Sequence, residues 1–133
     1  MEDFLARATP ALAHSPYSVG LVSDAAIRRY NARFRGQDEA TDVLSFPAAT
    51  HGKDENGYLG DILISAETAR RHAANYGVRL EDEIKALILH GLLHLLGQDH
   101  ERDGGQMARS ERRWGARLGL PQTLLARRNG HRR

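Results

Sequence analysis

Residues 86–100 read Ala-Leu-Ile-Leu-His-Gly-Leu-Leu-His-Leu-Leu-Gly-Gln-Asp-His. From Ala86 to Leu96 the only polar side chains are His90 and His94. A helix that is apolar on every side has no face to offer water, so it belongs in the centre of a domain. The reading places this helix from about Glu81 to Leu96, ended by Gly97. His90 and His94 are four residues apart and therefore stack on one helix face. Two imidazoles buried among Leu, Ile and Ala need partners for their ring nitrogens. Burial also favours the neutral ring, the form that ligates metal. Gly97 lets the chain turn out of the helix at positive φ, and His100 can then fold back toward the first two histidines. Three imidazoles so arranged make an open metal site, with a fourth position for water or substrate.

The spacing H-x3-H-x5-H is that of zinc proteases reading H-E-x-x-H-x-x-G-x-x-H. Gly91 stands where those enzymes carry the Glu that serves as general base, so the spacing supports a metal and argues against peptide hydrolysis. Asp99, in the turn, is expected to orient a ligand or the turn itself. The other histidines (His14, His51, His72, His131) sit in polar or surface contexts and are read as surface residues.

Working outward, Tyr17–Val22 is a strand followed by Ser23, an N-cap with Asp24 in the first turn. The helix that follows spaces Ile27, Tyr30 and Phe34 at i, i+3 and i+7, which predicts an inward face; Gly36 ends it. Thr41–Phe46 is β-rich and stops at Pro47. Residues 48–57 are a polar loop, and Leu59–Ile64 is a third strand, so a hairpin is expected. Ser65 caps a helix with Ala66, Ala69, Ala73 and Tyr76 on one side, and Gly77 closes it. A last amphipathic helix runs from about Asp103 to Leu118 with Met107, Trp114 and Leu118 inward. Residues 2–9 are weakly helical up to Pro10. This order predicts an α+β fold, a small mixed sheet covered by helices, with the apolar helix central.

The 133 residues fit one domain over residues 1–120 and a basic tail over 121–133. With no cysteine, disulfides, thiolate nucleophiles and Cys-based metal sites are all excluded. No apolar run reaches the roughly 18 residues of a membrane span, and the acidic start is not a signal peptide; a cytoplasmic protein is expected. The net charge is only +2, but all of the 19 basic residues except Lys53 and Lys85 are Arg. An Arg bias suits bidentate phosphate recognition, and a GC-rich genome produces the same bias.

Three stretches resemble the YbeY family of bacterial endoribonucleases. His90–His100 is similar to the family's H-G-x-L-H-L-x-G-x-D-H. Phe34-Arg35-Gly36 through Thr41-Asp42-Val43-Leu44-Ser45-Phe46-Pro47 is similar to its R-G... T-[DN]-V-L-S-F-P. Leu59-Gly60-Asp61-Ile62 is similar to its L-G-D-I. The resemblance implies a metal-dependent endoribonuclease of single-stranded RNA, acting in ribosomal RNA maturation and ribosome quality control. It implies one Zn2+ per chain on His90, His94 and His100, with Arg35 as the important basic residue of the cleft. The implied partners are rRNA precursors and the ribosome or its proteins, with neither DNA nor membrane. Gln98 departs from the Tyr frequent in the family, and the sequence starts near the first helix, ahead of which the family has a strand: either the start is misassigned, or the sheet is smaller with an exposed edge.

Independently of the family, a metal on three neutral imidazoles lowers the pKa of bound water, and a guanidinium such as Arg35 can hold two phosphate oxygens. At the end of its helix, Arg35 would also serve the dipole. Ser45 and Asp61, polar residues on apolar strands, are read as structural or ligand-supporting groups. Two other classes fit the residues: a metal-dependent hydrolase of a non-RNA substrate, and a ribosome-associated binding module with a structural metal.

Overall fold

A computed structural model of the chain describes residues 15–49, 53–97, 105–121 and 124. Among these residues three strands and four helices follow one another: β1 (Ser18–Val22), α1 (Asp24–Arg35), β2 (Val43–Pro47), β3 (Gly60–Ser65), α2 (Ala66–Tyr76), α3 (Leu80–Leu95) and α4 (Gln106–Arg117). The strand order is β1-β3-β2. β1 runs parallel to β3, with Val19 opposite Ile62. β2 runs antiparallel to β3, with Ser45 opposite the same Ile62. The sheet is therefore small and mixed, the fold is α+β, and the expected hairpin is β2–β3. The segments read as a weak helix at 2–9 and as a basic tail at 121–133 fall outside the described residues, apart from Pro121 and Leu124. So does the question of a strand ahead of β1.

Side chains alternate across the sheet. Val43, Ile62 and Ile64 point to one face, where they join the main apolar cluster with Leu87, Leu89, Leu92 and Leu93 of α3. α3 packs on both β2 and β3 and is flanked by α2 and α4. Residues Ala86 through Leu93 are buried without interruption. Each fully buried Leu or Ile contributes about 1.5–3 kcal/mol relative to exposure, so this helix is the largest single contributor to the core. Met107 of α4 and Leu118, at its C-terminal cap, are buried in the same cluster, as their spacing predicts.

α1 departs from its expected packing. Its buried residues are Ile27 and Asn31, not Ile27, Tyr30 and Phe34. Tyr30 is 41% exposed and Phe34 57%. The inward stripe runs at i, i+4 because the Asn31 amide is used inside: its Nδ2 donates to the Glu39 carbonyl at 2.9 Å, holding the loop after the helix. A polar side chain with a fixed partner can occupy an inner position that hydrophobicity alone would give to an aromatic ring.

The starts of α1 and α2 are tied together because β1 and β3 are parallel neighbours and each leads directly to a capping serine, Ser23 after β1 and Ser65 at the end of β3. Ser23 Oγ accepts from Ala26 N–H at 3.1 Å, and Ser65 Oγ accepts from Thr68 N–H at 3.2 Å. Asp24 lies between them. It accepts from the hydroxyls of Ser65 and Thr68 and pairs with Arg71 at 3.0 Å. These hydrogen bonds, Ser65 first, hold its carboxyl down to about 2 from an ordinary 3.8.

A depressed folded-state pKa gives stability that is present above the unfolded value and lost as pH falls through the folded one. Asp24→Asn should therefore lower stability by on the order of 1 kcal/mol at neutral pH. The gap between wild type and variant should close between about pH 4 and pH 2. Denaturant melts of both proteins across that range check it; a gap that does not change with pH would remove Asp24 from the account.

Candidate metal centre

His90 and His94 lie on the inner half of α3. Their rings meet edge to face with centroids 4.7 Å apart, and the two Nε2 atoms are 3.1 Å apart. His90 is 4% exposed, while His94 is half-buried. The spacing of four thus brings two ring nitrogens to one point at the edge of the core. His100, Asp99 and Gln98 fall outside the described residues, and among the described residues no group of three His, Cys, Asp or Glu side chains converges as a metal site.

Behind His90 stands a residue the sequence reading did not single out. Glu111 of α4 is fully buried, and its Oε1 lies 2.8 Å from His90 Nδ1. A neutral imidazole that donates from Nδ1 keeps its lone pair on Nε2. The carboxylate therefore turns the acceptor nitrogen of His90 toward His94. The signal was present in the sequence: Met107, Glu111, Trp114 and Leu118 are spaced i, i+4, i+7 and i+11, so the inward stripe of α4 passes through Glu111. Its Arg112 and Arg113 neighbours made it look like a surface charge.

The pair passes a geometric test for zinc. Zn–N bonds of about 2.0–2.1 Å at a tetrahedral angle place two ligand nitrogens about 3.3–3.4 Å apart. The 3.1 Å between the two Nε2 atoms is close to that. The donor set also fits: neutral nitrogen ligands, one of them backed by a carboxylate, as metal-bound histidines commonly are.

Gly91 has a positive reason to be glycine. A Cβ built there would lie 2.7 Å from Ile62 Cγ2 and 3.1 Å from Ser45 Oγ. α3 rests on the sheet at this point, and Ser45 Oγ donates to the Gly91 carbonyl at 3.1 Å. A Glu in this position would have to enter the β2–β3 surface. The protease base is thus absent because the helix approaches the sheet closely where that base would stand.

The remaining sites read from sequence are spread around this centre. Ser45 braces α3 one residue from His90. Asp61 neighbours Ile62 along β3 and so points to the opposite face of the sheet, where Tyr58 Oη donates to its Oδ1. Arg35 is the last residue of α1 and is exposed, and it has no ion-pair partner among the described residues. His72 is half-buried, with Nδ1 3.6 Å from the buried Glu83 carboxylate, so it is less of a surface residue than its sequence context suggests.

Comparison with known proteins bears on the chain as a whole. The family model described as Endoribonuclease YbeY matches residues 3–119. Endoribonuclease YbeY of Solibacter usitatus is 50% identical over 113 residues, covering 85% of this chain and 73% of the relative. The protein of the same name from Koribacter versatilis is 44% identical over 125 residues, covering 93% and 79%. Among solved structures, TM1509 from Thermotoga maritima superposes with a TM-score of 0.60 at 28% identity, over 92% of this chain and 84% of that one.

The close approach at Gly91 yields a prediction. Gly91→Ala gains about 1 kcal/mol of helix propensity and incurs about 1–3 kcal/mol of overpacking against Ile62, a net loss on the order of 1 kcal/mol. Adding Ile62→Ala removes the obstructing atoms, so in that background Gly91→Ala should become neutral or stabilising. A double-mutant cycle by denaturant unfolding measures the coupling; additive effects would mean the helix does not press on the sheet there.

Proposed function

The chain belongs to the YbeY family of endoribonucleases, and from that premise we propose that it is a zinc-dependent endoribonuclease of single-stranded RNA, acting on rRNA precursors in ribosomal RNA maturation and ribosome quality control. In this reading His90, His94 and His100 hold one Zn2+ per chain. The observation that supports it best is the facing Nε2 pair with a buried carboxylate behind one ring. Zinc bound by three imidazoles supplies a Lewis acid and a water ionisable near neutral pH.

The protein's own groups do the rest. Glu111 fixes the His90 ring and its tautomer, with the lone pair on Nε2. Ser45 holds the helix carbonyl beside that ring and so sets the height of the pair above the sheet. Arg35, exposed and without an ion-pair partner among the described residues, is suited to grip two oxygens of a phosphate and to neutralise charge as it develops there. Nothing at position 91 can act as a peptidase base. Among the described residues no helix is long and apolar enough to cross a membrane, and a cytoplasmic place beside the ribosome is part of the proposal.

The primary test combines metal analysis with cleavage of a labelled single-stranded RNA, before and after chelation. One zinc per chain and chelator-sensitive cutting of RNA are expected, with no cutting of casein. Metal-free protein that cuts at the same rate would overturn the zinc reading.

Two variants divide the labour further. Glu111→Gln keeps an acceptor for His90 but loses the charge, and zinc affinity by chelator competition should fall about 10–100-fold. Arg35→Lys keeps a charge but loses the planar fork; single-turnover cleavage should fall sharply while melting temperature and zinc content hold. Arg35→Ala should be slower by on the order of a hundredfold to a thousandfold. If Arg35 served only the helix end, Lys would behave as wild type.

A further inference from the structure

On the face of the sheet opposite α3 lies a groove of about 440 Å³ that the chemistry above does not use. Tyr30 and Phe34 of α1 and Phe46 of β2 wall it, and Ser18, Asp61 and Leu63 contribute to its floor. The rings of Tyr30 and Phe34 are nearly parallel, at 14° with centroids 6.2 Å apart. Phe46 meets Phe34 edge-on at 5.5 Å and so props it from the sheet side. Phe34 is nonetheless the more exposed of the two α1 rings, as Leu21 is among the aliphatic residues. Large aromatic rings kept at a surface in fixed mutual geometry offer a stacking platform.

Two further features restrict what could stack there. The first is a polar end to the groove. Tyr58 Oη lies 2.6 Å from Ser18 Oγ and donates to Asp61 Oδ1. Hydrogen bonding to Asp61 raises the Tyr58 pKa, so the phenol stays protonated and donating. Asp61 keeps its second carboxylate oxygen as an acceptor, which calls for an amino or imino donor on the ligand. The second is the charge of α1, which carries four Arg and one Asp. Arg28 is paired with Asp38 at 2.8 Å. Arg29, Arg33 and Arg35 have no carboxylate partner among the described residues, and the Arg33 guanidinium lies 5.3 Å from the Phe34 centroid. A flat π-system with a hydrogen-bond donor at one end and negative charge beside it meets all three demands.

We propose that this groove receives an unpaired nucleobase of the RNA substrate. The base stacks on Phe34 and Tyr30, its exocyclic amino group donates to Asp61, and the flanking phosphates meet the α1 arginines. This rests on the ribonuclease reading and adds a base-recognition subsite to it. A base with an exocyclic amine satisfies Asp61 in the way a carboxylate accepts from cytosine N4. Uracil lacks that amine and offers only its N3 imino N–H, which is flanked by two carbonyl oxygens that would face the carboxylate, so cytidine-rich strands should bind more tightly than uridine-rich ones.

The test is fluorescence anisotropy of the full chain with labelled 2′-O-methyl oligocytidine and oligouridine, beside melting curves and cleavage of unmodified RNA. Phe34→Leu keeps an apolar side chain without a π-face and should weaken binding on the order of tenfold, while Phe34→Trp should restore it. Asp61→Asn should reduce the preference for cytidine over uridine. If Phe34→Leu does not fold, Tyr30→Leu carries the same test. Binding unchanged in both leucine variants would overturn the groove while leaving the ribonuclease reading intact, provided wild type cuts RNA. A lowered melting temperature or an altered oligomeric state in the leucine variants, with RNA binding unchanged, would assign the rings to residues 1–14 or to a second copy, and would also overturn it. A wild-type chain that neither binds nor cuts RNA would overturn the ribonuclease reading itself.

Discussion

A stretch of helix without a solvent face must find a protein partner for every polar atom it carries, and residues 86–93 of α3 form such a stretch. Unpaired, a buried polar group costs about 1–3 kcal/mol by mutational measures. His90 meets that demand with Glu111, and the demand explains why α4 lies where it does. The contact between α3 and α4 is not apolar packing alone, since it must deliver one carboxylate to one ring nitrogen. Once Nδ1 is committed, the ring has a single nitrogen left to present, and it presents it to His94. The orientation of the candidate ligands is thus set from within the core, by a residue no solvent-borne substrate would touch.

The same burial accounts for Gly91. From sequence, the residue after His90 reads as a missing base, a statement about chemistry. In the structure it is a statement about distance: Ile62 and Ser45 occupy the space a side chain would need. One residue therefore serves two ends. It lets the helix settle onto the sheet, and it leaves the neighbouring pair of histidines without a carboxylate of the peptidase kind.

Much of this was legible before any coordinates. The apolar run marked α3 as central, the serine and glycine caps placed α1 and α2 to within a residue or two, and the histidine spacing brought two rings together. The failures have physical causes. Tyr30 and Phe34 were assigned inward from their i+3 and i+7 spacing to Ile27, whereas Asn31 took the inner position by bonding to the Glu39 carbonyl. That bond depends on where the chain goes after the helix, which periodicity does not encode. Glu111 was passed over because its sequence neighbours are arginines, although its helical neighbours are Met107, Trp114 and Leu118. The parallel pairing of β1 with β3 was likewise not readable, because no turn joins those strands and pairing across a helix leaves no local signature.

The two halves of the functional proposal meet at β2. Ser45 and Phe46 are consecutive, so their side chains leave opposite faces of the sheet. Ser45 reaches the helix beside His90, and Phe46 reaches the aromatic groove. β2 is also an outer strand of the described sheet, with β3 on one side and no described strand on the other. A nucleic acid strand held by its base in the groove would therefore have to pass the β2 edge for its backbone to approach the histidines. Arg35, one residue beyond Phe34 at the end of α1, starts the connection leading into β2. An unpaired strand can make such a turn, because its bases are free to splay away from the backbone; a stacked duplex cannot without paying to unstack. A preference for single strands would then follow from the fold: the proposed base-stacking surface and the candidate metal ligands lie on opposite sides of one sheet edge.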